Sequence, residues 1–428
     1  MDYKKIILDN ITYHLINTKR FKQISIVSFF TKDYSLEDRK YANMLIGNLM
    51  YSSKKYNTRN KMTAYTEELY GSKVSGGFSL TGSSEAYSFI LEFVNPKYTS
   101  EEYLKKTIDY YSEVLLNPNI EDDHFNDEYF NIIKNDIIVS IKSIKDNPNA
   151  YSSLKYNRVM YKGTPSAEGT IPTVKEEESI TSSELYDYYK RLFDGSFKID
   201  VCILGEVDEN IIKLLHKKFK HIKSNNNKIA LSIKPIYDGK ITKEEDSLKY
   251  NQSKLYLGYK LIDMTDHELN HVLKIYNTIL GTMNDSILFN VVRENNSLCY
   301  TIGSYTSKYN PSLTIYAGIN KENYEKTVSL IKECVSSMSN RKEVGRLFES
   351  AKKTYNTYLN GYYDDAFGQI NHYYVNEFES IEDVETQRKN INNVTIDEVL
   401  KLNEKIKLDT IYFLKGDKEW WKKTHLQK

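Results

Sequence analysis

The feature that most constrains this chain is a two-fold repeat of its own pattern. In the first half, Ile24 to Phe30 (ISIVSFF) predicts a strand, and Ser35-Leu36-Glu37-Asp38 opens a helix. In the second, Lys254 to Tyr259 (KLYLGY) predicts a strand, and Thr265-Asp266-His267-Glu268 opens a helix 230 residues on from Ser35. Both openings have the form S/T-x-x-D/E of a capping box, whose side chains satisfy free N–H groups at a helix start. The ends of the halves match as well. Thr181-Ser182-Ser183-Glu184 leads through a helix to IDVCILG, ending at Gly205, and Thr395-Ile396-Asp397-Glu398 leads to TIYFLKG, ending at Gly416. Here the offset, 181 to 395, is 214 residues, so the first half carries an insertion of 16.

Between the halves lie Ser224-Asn225-Asn226-Asn227-Lys228, then Pro235 and Asp238-Gly239, a polar, breaker-rich stretch that reads as a linker. A chain of 428 residues is too long for one ordinary core. The expectation is two homologous α+β domains, 1–223 and 245–428, joined by a linker at 224–244. Each would be a mostly antiparallel sheet covered by helices, and together they would form half of a clamshell. Lys105 to Leu116, Asp127 to Lys145 and Asn323 to Ser337 have helical apolar spacing, while Phe89 to Val94 and Leu313 to Ala317 read as strands.

A net charge of +1 gives no electrostatic case for nucleic acid or an anionic membrane as partner. No stretch approaches the roughly 18 apolar residues of a membrane span. Met1-Asp2-Tyr3-Lys4-Lys5 is followed by too short an apolar run for a signal peptide. Cys202, Cys299 and Cys334 form an odd set, each in an apolar run, as expected of small buried hydrophobes in a reducing compartment. The expected location is cytoplasmic. The 37 tyrosines read as genome base bias.

One motif suggests metal chemistry. His267-Glu268-Leu269-Asn270-His271 is HExxH, in which two histidines one helical turn apart hold zinc and the glutamate polarises a water. Glu294 follows His271 by 23 residues as a candidate third ligand. Three features oppose this. Glu268 is the fourth residue of the Thr265 capping box, so its carboxylate should turn back to the Thr265 N–H. At about 100° per residue, Leu269, Val272, Leu273, Tyr276 and Leu280 share one face, and His267 and His271 fall opposite, toward solvent. The motif also fills the first turn and a half of its helix, where fraying is worst and rigid ligands are hardest to hold. The other histidines (His14, His124, His216, His221, His372 and His425) are dispersed, and the His216/His221 pair is expected on a solvated face.

The stretch Leu280 to Tyr300, LGTMNDSILFNVVRENNSLCY, resembles the second-domain signature of the insulinase/pitrilysin family, which includes mitochondrial processing peptidase. The matching residues are Leu280, Gly281, Ser286, Leu288, Phe289, Val292, Arg293, Glu294, Leu298 and Tyr300, with the family's seven-residue gap from Arg to Tyr. TPSAEGTI at 164–171 and Ile203-Leu204-Gly205-Glu206-Val207-Asp208 are similar to the close of the family's first domain. Active members carry an inverted motif, HxxEH, on the first helix of the first domain. That helix here is Tyr41 to Met50 (YANMLIGNLM), with Asn43 and Gly47 in place of the histidines and Ile46 in place of the glutamate. Ile138-Val139-Ser140-Ile141 replaces the acidic pair expected for the third ligand.

The resemblance therefore implies a peptidase homologue inactive alone. It would be the non-zinc-binding subunit of a heterodimeric peptidase, with no cofactor of its own and zinc in a paralogous partner. By the same resemblance, Arg293 and Tyr300 bind the peptide substrate. Arginine offers a fixed fork of donors and the tyrosine hydroxyl can serve a developing oxyanion. The plainer reading is a surface salt bridge for Arg293 and a buried strand position for Tyr300. Some zinc-less bacterial members of this type are named for an association with elongation factor P modification. Alternatives stay open: a gluzincin-like metallopeptidase using His267, Glu268 and His271, a purely structural or binding subunit, and a homodimer.

Overall fold

The computed structural model describes residues 2–416. His425 lies outside them. In chain order the main strands are β1 (Asp2–Leu8), β2 (Ile11–Asn17), β3 (Gln23–Asp33), β4 (Lys73–Thr81), β5 (Ser84–Val94), β6 (Lys198–Gly205), β7 (Thr242–Leu248), β8 (Ser253–Leu261), β9 (Cys299–Ser307), β10 (Ser312–Ile319) and β11 (Ile406–Gly416). The helices used below are α1 (Arg39–Tyr51), α2 (Glu101–Leu116), α3 (Asp127–Ser143), α4 (Pro148–Met160), α5 (Val174–Ser179), α6 (Ser182–Arg191), α7 (Ala366–Val375) and α8 (Ile396–Leu402).

The chain divides into two units, each built on one sheet. The first sheet has the order β1-β2-β6-β3-β5-β4, antiparallel except for the parallel pair β2–β6. The second has the order β9-β10-β8-β11-β7, antiparallel except for the parallel pair β11–β7. The fold is thus α+β with mostly antiparallel sheets. Alternation along β3 sends Ile24, Ile26 and Phe30 into the first core, where α2 adds Tyr103, Ile108, Tyr111 and Val114. In the second unit Leu255, Leu257 and Tyr259 of β8 make the matching core with Val272, Tyr276 and Leu280. Several tyrosines are core cross-links: the buried Tyr111 hydroxyl donates to the Phe89 carbonyl at 2.9 Å and lies 2.8 Å from Ser28 Oγ, whose hydroxyl can donate to it.

The units do not follow the linear division expected from the repeat. The first takes the chain up to Ser143, then Glu168–Leu231 and Tyr363–Ile381. The second takes Ile144–Ala167, Ser232–Tyr362 and the chain from Glu382. The expected 224–244 linker also contains the start of β7 at Thr242. The reason is packing. Each sheet has a second apolar face, and each is covered by a helix from the other half of the chain. In the second unit, Tyr156 of α4 stacks on Tyr256 at 4.8 Å and shares a 2.7 Å hydrogen bond with Thr314. Gly258 makes this possible: a Cβ there would stand 2.4 Å from both Tyr156 Oη and Met160 Sδ. In the first unit, Tyr374 of α7 stacks on Phe29 at 3.8 Å and bonds Thr31 at 2.7 Å.

Candidate functional site

Three places carry the residues of interest, and each is built differently. The first is α1. Its start is fixed by charge. Arg39, 4 % exposed, makes two 3.0 Å bonds to the Glu176 carboxylate, and Arg191 makes two to Asp38. Burial pulls the Asp38 carboxyl upward, but Lys32 and Arg191 hold it below its ordinary value. Asp38 is therefore taken up by ion pairs. Ser35 accepts from the Asp38 N–H, but the expected capping box is incomplete, because the Ser35 N–H bonds Glu85 instead.

Along α1, Asn43 and Gly47 line a cavity of about 360 Å³ with Arg59 and with Ile133, Asp136 and Ile137 of α3. Ile46 packs instead on β4, where a Cβ at Gly76 would come within 2.8 Å of its Cγ2. The α3 residues that face α1 are thus Ile133, Asp136 and Ile137, a turn earlier than the expected 138–141; Ile138 is buried and Val139 is 64 % exposed. Asp136 shares a helix face with Ile133, three residues on, and that spacing was the readable signal. Zinc does not fit these residues. An amide, an isoleucine and a glycine stand at the motif positions, and a Cβ at Gly47 would lie 2.6 Å from Ile133 Cγ2. The two helices have closed over the space an imidazole needs.

The second place is the HELNH segment. Here the Thr265 capping box forms: Glu268 Oε2 accepts from the Thr265 N–H at 2.7 Å and Thr265 Oγ1 accepts from the Glu268 N–H at 3.2 Å. Lys405 donates to the same Oε2 at 2.7 Å. Burial raises the Glu268 carboxyl, yet Lys405 and Thr265 hold it below its ordinary value. His267 Nε2 lies 2.9 Å from Glu398, His271 Nε2 lies 2.8 Å from Glu382, and the two Nδ1 atoms are 3.3 Å apart. Both imidazoles already have carboxylate partners. One expectation is corrected: His267 is exposed, but His271 is buried. Glu268–Val272 forms a wider π-helical turn, so a wheel drawn at 100° per residue misplaces it. Glu294 lies in a different cavity. Among the described residues no group of three or more His, Cys, Asp or Glu side chains could hold a metal. His216 departs from the solvated-face expectation too, since it bonds the Tyr13 hydroxyl at 3.2 Å.

The third place joins Arg293 and Tyr300. Arg293 lies on the π-helical segment Phe289–Asn295, with its guanidinium 4.8 Å from the Phe289 ring centroid. Ser297, in the left-handed region at φ 52°, turns the chain back into β9. Tyr300 falls at a register shift between β9 and β10, where Cys299 pairs with Ile319 and Thr301 with Gly318. Such a bulge re-aims a side chain, and Tyr300 is 68 % exposed. Arg293, Tyr300, Glu294 and Asn320 line one cavity of about 300 Å³. Glu294 Oε1 is 3.7 Å from Arg293 Nε, a loose pair that leaves the guanidinium half exposed. Burial raises the neighbouring Cys299 thiol to about 11, partly offset by Arg293. Asn320 was missed from sequence, because only strand pairing brings it beside Tyr300.

Comparison with known proteins completes the picture. The family profile described as Peptidase M16 inactive domain matches residues 179–352. A Bacillus subtilis protein named probable inactive metalloprotease YmfF is 27% identical over 412 residues, covering 95% of this chain and 96% of its own. Residues 179–352 are thus similar to the peptidase M16 inactive domain, and the similarity to YmfF runs over nearly the whole chain. A second relative, the uncharacterized zinc protease YmxG of Bacillus subtilis, is 22% identical over 59% of this chain and 60% of its own. A conserved protein from Enterococcus faecalis V583 shares the fold with a TM-score of 0.90 and 23% identity, over 97% of this chain and 99% of that one. A peptidase M16 inactive domain structure from Pseudomonas fluorescens has a TM-score of 0.78 and 15% identity, over 97% and 99%. Both the matched domain and YmfF are described as inactive. Among the described residues of this chain, no helix is long and apolar enough to cross a membrane.

Proposed function

We propose that this chain is the zinc-free subunit of a two-subunit M16 peptidase, in which a paralogous chain supplies HxxEH and zinc. The observation that carries the reading is an asymmetry. The motif positions on α1 are closed by Ile133, while Arg293 and Tyr300 stay exposed on an open cavity. Arg293 would hold carbonyls or a carboxylate of the bound peptide through its fork of donors, and Tyr300 would donate from its hydroxyl. Substrate would lie extended along a sheet edge, where unpaired backbone groups give affinity without sequence preference. Near-neutral charge and three buried free cysteines accord with work in the cytoplasm.

The test is co-purification with an HxxEH-bearing paralogue followed by peptide hydrolysis. The assembled complex should cleave and neither chain alone should. Arg293→Ala should lower kcat/KM by about tenfold to a hundredfold, the loss of one charge-assisted contact to substrate. Unchanged turnover in that variant would support a purely structural subunit instead.

A further inference from the structure

Edge strand β9 has more built around it than the Arg293–Tyr300 cavity. We propose that the α4-bearing face of the second sheet, on the side toward β9 that α4 leaves exposed, carries a subsite for a carboxylate of an extended peptide, anchored by the Lys254 ammonium and flanked by Gln252 and Thr301. The inference rests on reading this unit as a peptide-binding surface, and it adds the chemical class of peptide.

Strand register sets the subsite. Thr301 of β9 pairs with Gly318 of β10, and Gly318 pairs with Lys254 of β8, so the three stand in one cross-strand row. Gly318 leaves the centre of the row without a side chain. Gln252 folds into that gap: a Cβ at 318 would stand 2.7 Å from Gln252 Oε1 and 2.8 Å from Thr301 Oγ1. Gln252 Oε1 in turn accepts from Lys254 Nζ at 2.7 Å. An ammonium, an amide and a hydroxyl therefore converge over one glycine. All three can donate to a carboxylate.

The charge state supports an anionic guest. Lys254 is half-buried, and burial alone pulls its amine below the usual lysine value. Among the described residues no carboxylate pairs with it, and its partner is the neutral Gln252 amide. A desolvated ammonium with only a neutral amide partner is costly and gains most from an arriving anion.

The surroundings suit a peptide. Tyr316 in the next row lies across Gly303, where a Cβ would be 2.8 Å from its hydroxyl. Its ring reaches Tyr305 with centroids 6.2 Å apart, and both rings remain about two-fifths exposed, at 39% and 40%. β9 ends the sheet, so its outer N–H and C=O groups can pair with an added strand. A peptide laid there starts at the Arg293–Tyr300 cavity and passes Thr301, from where an acidic side chain or chain end can reach inward over Gly318 toward Lys254.

The carboxylate could belong to a glutamate or to a chain end, and the test separates them. Three short unstructured peptides of one valine- and threonine-rich sequence are titrated into the full chain by fluorescence anisotropy with a rhodamine label. One carries glutamates and a C-terminal amide, one carries glutamines and a free C-terminus, and one carries glutamines and an amide. At least one anionic peptide should bind about tenfold tighter than the neutral one, the size of one charge-assisted contact. Lys254→Met should erase that preference, while Arg293→Met weakens all three alike. Equal binding of the three peptides to the wild type, or a preference that survives Lys254→Met, overturns the subsite. If Arg293→Met also changes nothing, the peptide-binding reading falls with it. A second measurement needs no variant: in the wild type, the anionic peptide should protect Lys254 from acetylation by acetic anhydride, read by mass spectrometry, and the neutral peptide should not. Equal labelling with both peptides overturns the proposal.

Discussion

Two helices at the start of the two units answer the same question in opposite ways. Helix α1 is the helix on which the family resemblance leads one to expect zinc ligands, but it carries Asn43, Ile46 and Gly47. The helix that begins at Thr265 carries two histidines and a glutamate in zincin spacing, but all three are engaged with Glu398, Glu382, Thr265 and Lys405. Position without ligands and ligands without a vacant position are equally unable to bind a metal. The difference teaches that a motif is a statement about geometry: its side chains must be free as well as present.

The largest expected effect comes from forcing the missing letters back into α1. In the triple variant Asn43→His, Ile46→Glu and Gly47→His, the new side chain at 47 must displace Ile133. The overpacking should cost about 3 kcal/mol in urea denaturation, with no zinc gained. Adding Ile133→Ala should recover part of the stability. Tight zinc binding by the triple variant alone would break the contrast between the two helices.

The next effect is a pH dependence beside α1. Glu177 on α5 is fully buried, and neither of its carboxylate oxygens has a hydrogen-bond partner. Burial pushes its pKa up from 4.5 to about 7, opposed by Lys134 and aided by Glu176. The folded chain then holds this proton to about pH 7, whereas the unfolded chain releases it near 4.5. The stability it contributes is present in full below pH 4.5 and lost as pH rises through about 7. Glu177→Gln should therefore stabilise the chain by up to about 3 kcal/mol at pH 8 and by little at pH 4.5, read as urea midpoints.

Smaller effects belong to the second helix. His271→Ala removes the partner of Glu382 from a buried spot and should cost about 1–2 kcal/mol without changing metal content. His267→Ala, on an exposed pair, should cost under about 0.5 kcal/mol. A zinc content that dropped in either variant would revive the metallopeptidase alternative.

Much of this was readable in the residues. The capping boxes at Thr181, Thr265 and Thr395 form as their spacing implies, because a capping box is a local interaction. The one at Ser35 does not complete, because the Ser35 N–H goes to Glu85, distant in sequence, and Arg191 and Lys32 take the Asp38 carboxylate. The exchange of α4 and α7 was hidden for a similar reason. Amphipathic spacing shows that a helix has an apolar face, not which sheet will receive it. Gly258 is the trace of that exchange in the sequence, legible only once α4 is known to cover it. The absence of ligands in α1 could be read directly, but the closure by Ile133 could not. The bulge that turns Tyr300 outward also left no signal beyond the family gap.

Zinc stoichiometry tests the central claim most directly. The purified chain, equilibrated with zinc, desalted and measured by plasma mass spectrometry, should retain far less than about one equivalent, since neither helix offers three free ligands. Retention of a full equivalent, with peptide cleavage that a chelator abolishes, would contradict the account.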